Sequence, residues 1–178
     1  MMFEPGARRD YPTSAEVRVI DDFLPQDIFE RARTESEKMY RQGKNFRTNE
    51  SWGQHLIKNS VPVMITHVMD QQVNDGIAVR VSDMGEYSQK TLYHYWPVGS
   101  YIPWHDDGHH KAAVTLYLSE HDVDDGGYFM YDDGKGIKAV RPKLNRAVFV
   151  TGGIHHCVTT INAGSSIRRS LQVWLRQP

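Results

Sequence analysis

The sequence predicts one α+β domain in which two helices come first and a β-sandwich or open barrel follows, with the helices packed on the outer face of one sheet. Three observations carry this. Apolar residues recur at helical spacing before about residue 75, the period changes to two from Gln89 onward, and Gly, Asp and Asn turns separate the short β segments. At 178 residues and 20.5 kDa the chain has the length of one ordinary domain, helical support over 15–75 and a β core over 89–176. Lys and Arg (21) nearly balance Asp and Glu (22), which argues against a general nucleic-acid binder. A single cysteine, Cys157, forms no intrachain disulfide, and no apolar run is long enough to span a membrane. The first residues, MMFEPGARRDYPTS, lack the apolar stretch of a secretory signal, so the expected compartment is the reducing cytoplasm.

The elements follow in order. EVRVIDDFL is rich in Val and Ile and reads as a strand entering a turn at Asp21, Asp22 and Pro25. Gln26 to Gln42 places Ile28, Phe29, Ala32 and Met39 on one helical stripe and stops at Gly43. Lys44 to Ser60 reads as loop, and Pro62 to Val73 as a second, shorter helix, with a turn-rich stretch from Asn74. Thereafter TLYHYW, AAVTLYLS, GGYFMYD, IKAVRP, RAVFVTG, HHCVTTI and RRSLQVWL each have strand character.

Strand alternation assigns faces. In Lys111–Ser119, Ala112, Val114, Leu116 and Leu118 should meet the helices, leaving Tyr117 pointing inward with Thr115 and Ala113. In Arg168–Leu175 the same split separates Arg169, Leu171, Val173 and Leu175 from Arg168, Ser170, Gln172 and Trp174. The two polar faces can line one cavity.

Nine histidines are unevenly distributed: His105, His109 and His110 lie together, as do His155 and His156. Residues i and i+2 of an extended chain project to one side, so His105 and Asp107 can reach a common metal ion, with Asp106 pointing away. His155 or His156 can supply a third ligand from a later strand. Two imidazoles and a carboxylate on one face of an octahedral ion leave open positions, the arrangement of non-haem Fe(II) oxygenases.

In company with VIDDFLPQDIF, Tyr95 ten residues ahead of His105, WHDDG, TLYLSE, DDGGYFMY, HHCV and RRSLQVW, the motif resembles the 2-oxoglutarate and Fe(II)-dependent dioxygenase superfamily, in particular its prolyl 4-hydroxylase-like branch. The resemblance runs from Val17 to Leu175. It implies a double-stranded β-helix (jelly-roll, cupin-like) core and the iron ligands His105, Asp107 and His156, with Val158 following the distal histidine. It further implies that Arg168 grips the far carboxylate of 2-oxoglutarate beside Ser170, and that Tyr117 and Tyr95 donate hydroxyls to that cosubstrate. The turn Asn162-Ala163-Gly164 absorbs a slightly long interval between His156 and Arg168. Arg suits this task because its planar fork holds a carboxylate bidentately and stays charged.

What the resemblance implies functionally is hydroxylation of an unactivated C–H bond of a peptidyl proline or related amino-acid unit. Dioxygen is the other cosubstrate, ascorbate the reductant in vitro, and succinate and carbon dioxide the by-products. Relatives that halogenate have a small residue where Asp107 stands. A free amino acid or small metabolite is the alternative substrate. Nucleic-acid dealkylation is disfavoured because SLQVW lacks a second Arg. From another class, the barrel could be a non-catalytic cupin-like module that binds metal or 2-oxoglutarate. Oligomeric state is not read from the sequence.

Other residues take plainer readings. His109 and His110 are loop histidines, His94 and His67 hydrogen-bonded core histidines, and Cys157 a buried thiol facing away from His156. Trp96, Trp104 and Trp174 suit barrel packing as well as substrate. Gly126-Gly127 is a turn or close-approach site, and His121 to Asp125 a solvated acidic turn.

Overall fold

The computed structural model describes residues 15–43, 47–48, 63–108, 110–151, 153–162 and 167–176. The chain runs β1 (Val17–Ile20), α1 (Gln26–Gln42), β2 (Arg47–Thr48), β3 (Met64–His67), α2 (Gln71–Arg80), β4 (Ser88–Trp96), β5 (Ile102–His105), β6 (Ala112–Tyr117), β7 (Phe129–Asp132), β8 (Ile137–Val140), β9 (Ala147–Thr151), β10 (His156–Val158) and β11 (Arg168–Arg176). A seven-stranded sheet ordered β1-β9-β6-β11-β4-β3-β2 faces a four-stranded sheet ordered β5-β10-β7-β8. All the pairings are antiparallel. This is the expected jelly-roll class, with helices on the outside of one sheet.

Alternation on the central strands of the larger sheet creates two cores. Ala112, Val114, Leu116, Leu171 and Val173 pack against Phe29 and Ala32 of α1 and Val73 and Ile77 of α2. Their neighbours Ala113, Tyr117, Trp96 and Trp174 face the smaller sheet, where they meet Phe129, Val140 and Val158. The register sets Arg168 opposite Trp96 and Arg169 opposite Tyr95, so the two arginines fall on different faces. α1 ends as expected on Gly43, in the left-handed region at φ 57°.

The second helix corrects the expectation. PVMITHVMDQQV is not helical throughout: Met64–His67 is β3, and α2 starts only at Gln71 and runs through the stretch from Asn74. The helix begins there because Asp70 caps it, accepting from the backbone N–H of Gln72 and of Val73. Of the expected loop at Lys44 to Ser60 only Arg47–Thr48 is described, and it pairs with β3 as a strand; the rest lies outside the described residues. Among the described residues no helix is long and apolar enough to cross a membrane.

Candidate active site

β5 and β10 lie side by side in the smaller sheet with His105 opposite His156. Asp107 follows just past the end of β5, and one ligand atom from each of His105, Asp107 and His156 lies within 4.8 Å of the others. His156 Nε2 stands 3.8 Å from Asp107 Oδ2, and the two imidazole centroids are 4.3 Å apart. Each ring is pinned from behind. His105 Nδ1 lies 2.8 Å from the Pro103 carbonyl oxygen and His156 Nδ1 lies 2.7 Å from that of Ile154. A carbonyl can only accept, so both Nδ1 atoms carry a hydrogen, which leaves Nε2 as the atom through which each ring could ligate a metal. Burial, with His105 nearby, holds the His156 pKa down to about 4, so its imidazole is neutral and able to ligate at ordinary pH. The donor set fits a divalent transition metal with open coordination positions.

Of the two histidine candidates at the start of β10, only His156 joins this group. His155 turns away and stacks on Trp104, ring centroids 5.2 Å apart. His110 lies against Trp174, and His109 lies outside the described residues. His94 is buried between Trp96 and Trp174, where burial lowers its pKa to about 3. His67 is exposed rather than in the core. Cys157 is a buried thiol whose pKa burial raises to about 11.

A second polar feature lies between the sheets. Arg168 is 3% exposed, with its guanidinium 5.0 Å from the Trp96 ring centroid and 5.1 Å from that of Tyr117. Its Nη1 donates to the Gly127 carbonyl at 2.8 Å. Nε and Nη2 are buried with no hydrogen-bond partner among the described residues, and neither has the Tyr117 hydroxyl. A buried cation with two idle donors is costly unless an anion completes it, so the pocket fits a ligand carboxylate. Further along the same face the Thr115 hydroxyl donates to Gln172 Oε1 at 2.6 Å.

Gly126 and Gly127 make this approach possible. At Gly126 (φ 73°, ψ −144°) a Cβ would lie 2.1 Å from the Thr160 carbonyl oxygen, and at Gly127 one would lie 2.3 Å from Arg168 Nη1. Both act as the expected close-approach site. Gly126→Ala is expected to destabilise the protein by about 2–3 kcal/mol or more, because a backbone clash is added to a conformation essentially reserved for glycine. Urea denaturation checks it.

Two sequence assignments change. Tyr95 does not face this pocket: its hydroxyl donates to the Ser36 carbonyl of α1 at 3.0 Å and its ring stacks on Tyr40. It shares the parity of Arg169, on the helix side of β4. Tyr95→Phe is expected to lower stability by about 1 kcal/mol while leaving 2-oxoglutarate affinity unchanged, as paired denaturation and titration measurements would register. Ser170 faces inward, but its hydroxyl accepts from Trp96 Nε1 at 2.9 Å and thereby orients the indole that covers Arg168. Trp96, which the sequence left open between barrel packing and substrate, is the ring that covers Arg168, placed there by the pairing of β4 with β11.

Comparison with known proteins settles the class. The sequence model of the 2OG-Fe(II) oxygenase superfamily matches residues 91–176, the stretch that carries all of the residues above from His94 to Trp174. Over residues 91–176, just under half of its length, the chain carries the sequence pattern of the 2OG-Fe(II) oxygenase superfamily. As such it is an oxidoreductase, and the family implies ferrous iron and 2-oxoglutarate. The fold of this oxygenase is similar to a Pseudomonas putida prolyl-4-hydroxylase (TM-score 0.72, 17% identity, 93% of this chain and 94% of that one). It is similar also to a Trichoplax adhaerens prolyl hydroxylase in complex with a hypoxia inducible factor peptide fragment (TM-score 0.73, 17% identity, 90% and 83%). The epimerase SnoN from nogalamycin biosynthesis shares the oxygenase fold too (TM-score 0.68, 11% identity, 90% and 77%). Comparison with curated protein sequences gives no match.

Proposed function

We propose that this oxygenase is a hydroxylase of a peptidyl proline or a related amino-acid unit, with His105, Asp107 and His156 holding ferrous iron and Arg168 and Tyr117 holding the far carboxylate of 2-oxoglutarate. The observation that carries the reading is the pairing, inside one β-sandwich, of a His/Asp/His group with a buried guanidinium whose Nε and Nη2 have no hydrogen-bond partner among the described residues. Iron with 2-oxoglutarate and dioxygen supplies the oxidising chemistry: the oxo acid leaves as succinate and carbon dioxide, and one oxygen atom enters a substrate C–H bond.

The chain's own residues supply position. Carbonyl-anchored imidazoles present their Nε2 lone pairs in fixed directions. Asp107 would supply a carboxylate ligand to the metal, which favours hydroxylation over halogenation. Arg168 binds and orients the cosubstrate from its far end, and the Trp96 and Tyr117 rings on either side of its guanidinium exclude water. A peptide substrate draws support from the peptide bound by the Trichoplax relative.

The test supplies protein with ferrous iron, ascorbate, 2-oxoglutarate and a panel of proline-containing peptides and free amino acids. Succinate formation with a gain of one oxygen on a peptide is expected, and neither in a His105→Ala variant. A gain confined to a free amino acid would overturn the peptidyl assignment. Equal succinate background in both proteins would leave only a binding module.

A further inference from the structure

The connection from β6 to β7 holds a buried imidazole that none of the chemistry above uses. The His121 side chain is 4% exposed, although Asp122, Val123 and Asp124 beside it are exposed, so the turn is solvated except at this ring. His121 Nε2 lies 2.9 Å from the Gly126 carbonyl oxygen. Because that oxygen can only accept, Nε2 carries the hydrogen and donates. On the ring's other side Nδ1 is 3.6 Å from Asp125 Oδ2, and the His121 carbonyl accepts from Arg141 Nη2 at 3.2 Å. Burial, with the Arg168 cation nearby, lowers the His121 pKa, and both favour the neutral ring.

Gly127 is where this ring meets the pocket. A Cβ at Gly127 would lie 2.3 Å from Arg168 Nη1 and 3.2 Å from His121 Nε2, so guanidinium and imidazole close on the same side of one residue. The Trp96 and Tyr117 rings limit how the guanidinium tilts, but a ring face does not fix rotation within the guanidinium plane. The hydrogen bond from Nη1 to the Gly127 carbonyl does.

We propose that His121 is a positioning residue for Arg168: by holding the Gly126 carbonyl it fixes the Gly126–Gly127 turn, and the turn sets the in-plane rotation that presents Nε and Nη2 to a ligand carboxylate. The proposal rests on Arg168 being the anchor of 2-oxoglutarate. A loop outside the barrel thereby governs how well the pocket distinguishes a 2-oxo acid with a second carboxylate from one without.

The experiment uses the full chain loaded with Mn(II) in place of the oxidisable metal and measures binding of 2-oxoglutarate and of 2-oxobutanoate, which lacks the far carboxylate, by calorimetry. His121→Leu, which fills the space without a donor, and His121→Ala are each expected to weaken 2-oxoglutarate about three- to tenfold and to leave 2-oxobutanoate unchanged. His121→Gln, which restores an N–H donor at similar reach, is expected to recover most of the loss. Unchanged 2-oxoglutarate binding in the Leu and Ala variants overturns the proposal. So does equal weakening of both acids, the mark of general loosening of the fold. Arg168→Ala separates the two readings: if it leaves 2-oxoglutarate binding intact the anchor assignment itself falls, whereas if it weakens binding and the His121 variants do not, only the positioning role falls.

Discussion

Asp107→Ala is expected to form succinate from 2-oxoglutarate no faster than metal-stripped protein, whereas Asp106→Ala is expected to keep most of its turnover. The contrast follows from parity at the end of β5. Asp107 brings Oδ2 to 3.8 Å from His156 Nε2 and joins the three-residue group. Asp106 is exposed and spends its Oδ1 on the Gly108 backbone N–H at 3.0 Å, shaping the turn. Loss of a ligand should cost at least about a hundredfold, beyond the 10–100-fold that losing a mere outer partner of a ligand brings. The measurement is succinate release alongside iron content per chain. Turnover near that of the unaltered protein in Asp107→Ala would remove the carboxylate from the metal centre.

Arg168→Ala and Arg169→Ala are expected to part company just as sharply. Arg168 lies between Trp96 and Tyr117 in the pocket, and its loss should raise the 2-oxoglutarate requirement well over tenfold, in line with about 2–5 kcal/mol for a buried charged contact. The rise in Tm that 2-oxoglutarate gives the unaltered protein should vanish with it. Arg169 instead ties β11 to α1, donating through Nη1 to the Arg33 carbonyl at 3.1 Å and to Ser36 Oγ at 3.0 Å, with Glu37 Oε2 at 3.0 Å. Its replacement should lower Tm and spare cosubstrate affinity. A thermal melt run with and without 2-oxoglutarate reads both effects, and a reversed pattern would mean that β11 is one residue out of register.

Period-two alternation made most of this legible. It separated Arg168 from Arg169, and Tyr117 from Leu116 and Leu118, because a half-buried strand allows only two directions. Two kinds of information were not legible. PVMITHVMDQQV mixes a short strand with the start of a helix, and apolar spacing over so few residues fits both; the Asp70 cap was the deciding feature. β5 also escaped notice, since Ile102–His105 is short and contains Pro103, which cannot donate to a ladder. Tyr95 was assigned by its distance from His105 along the chain, yet its direction is dictated by pairing with Arg169 across the sheet. The burial of His121 within an otherwise acidic, exposed turn depends on Gly126 and Gly127 folding under it, which no local pattern announces.

The two-sided character of β4, β6 and β11 carries an implication for change over time. One side of each strand feeds the helix-backed core and the other feeds the core between the sheets, where Arg168 lies, so on the proposed function thermal robustness and selectivity are written in alternate letters of the same segments. Substitutions of the first kind can accumulate with little penalty to the second, and variants combining one of each, well separated in space, should show nearly additive effects. A lineage bearing this architecture is therefore free to acquire new substrates without first rebuilding its scaffold.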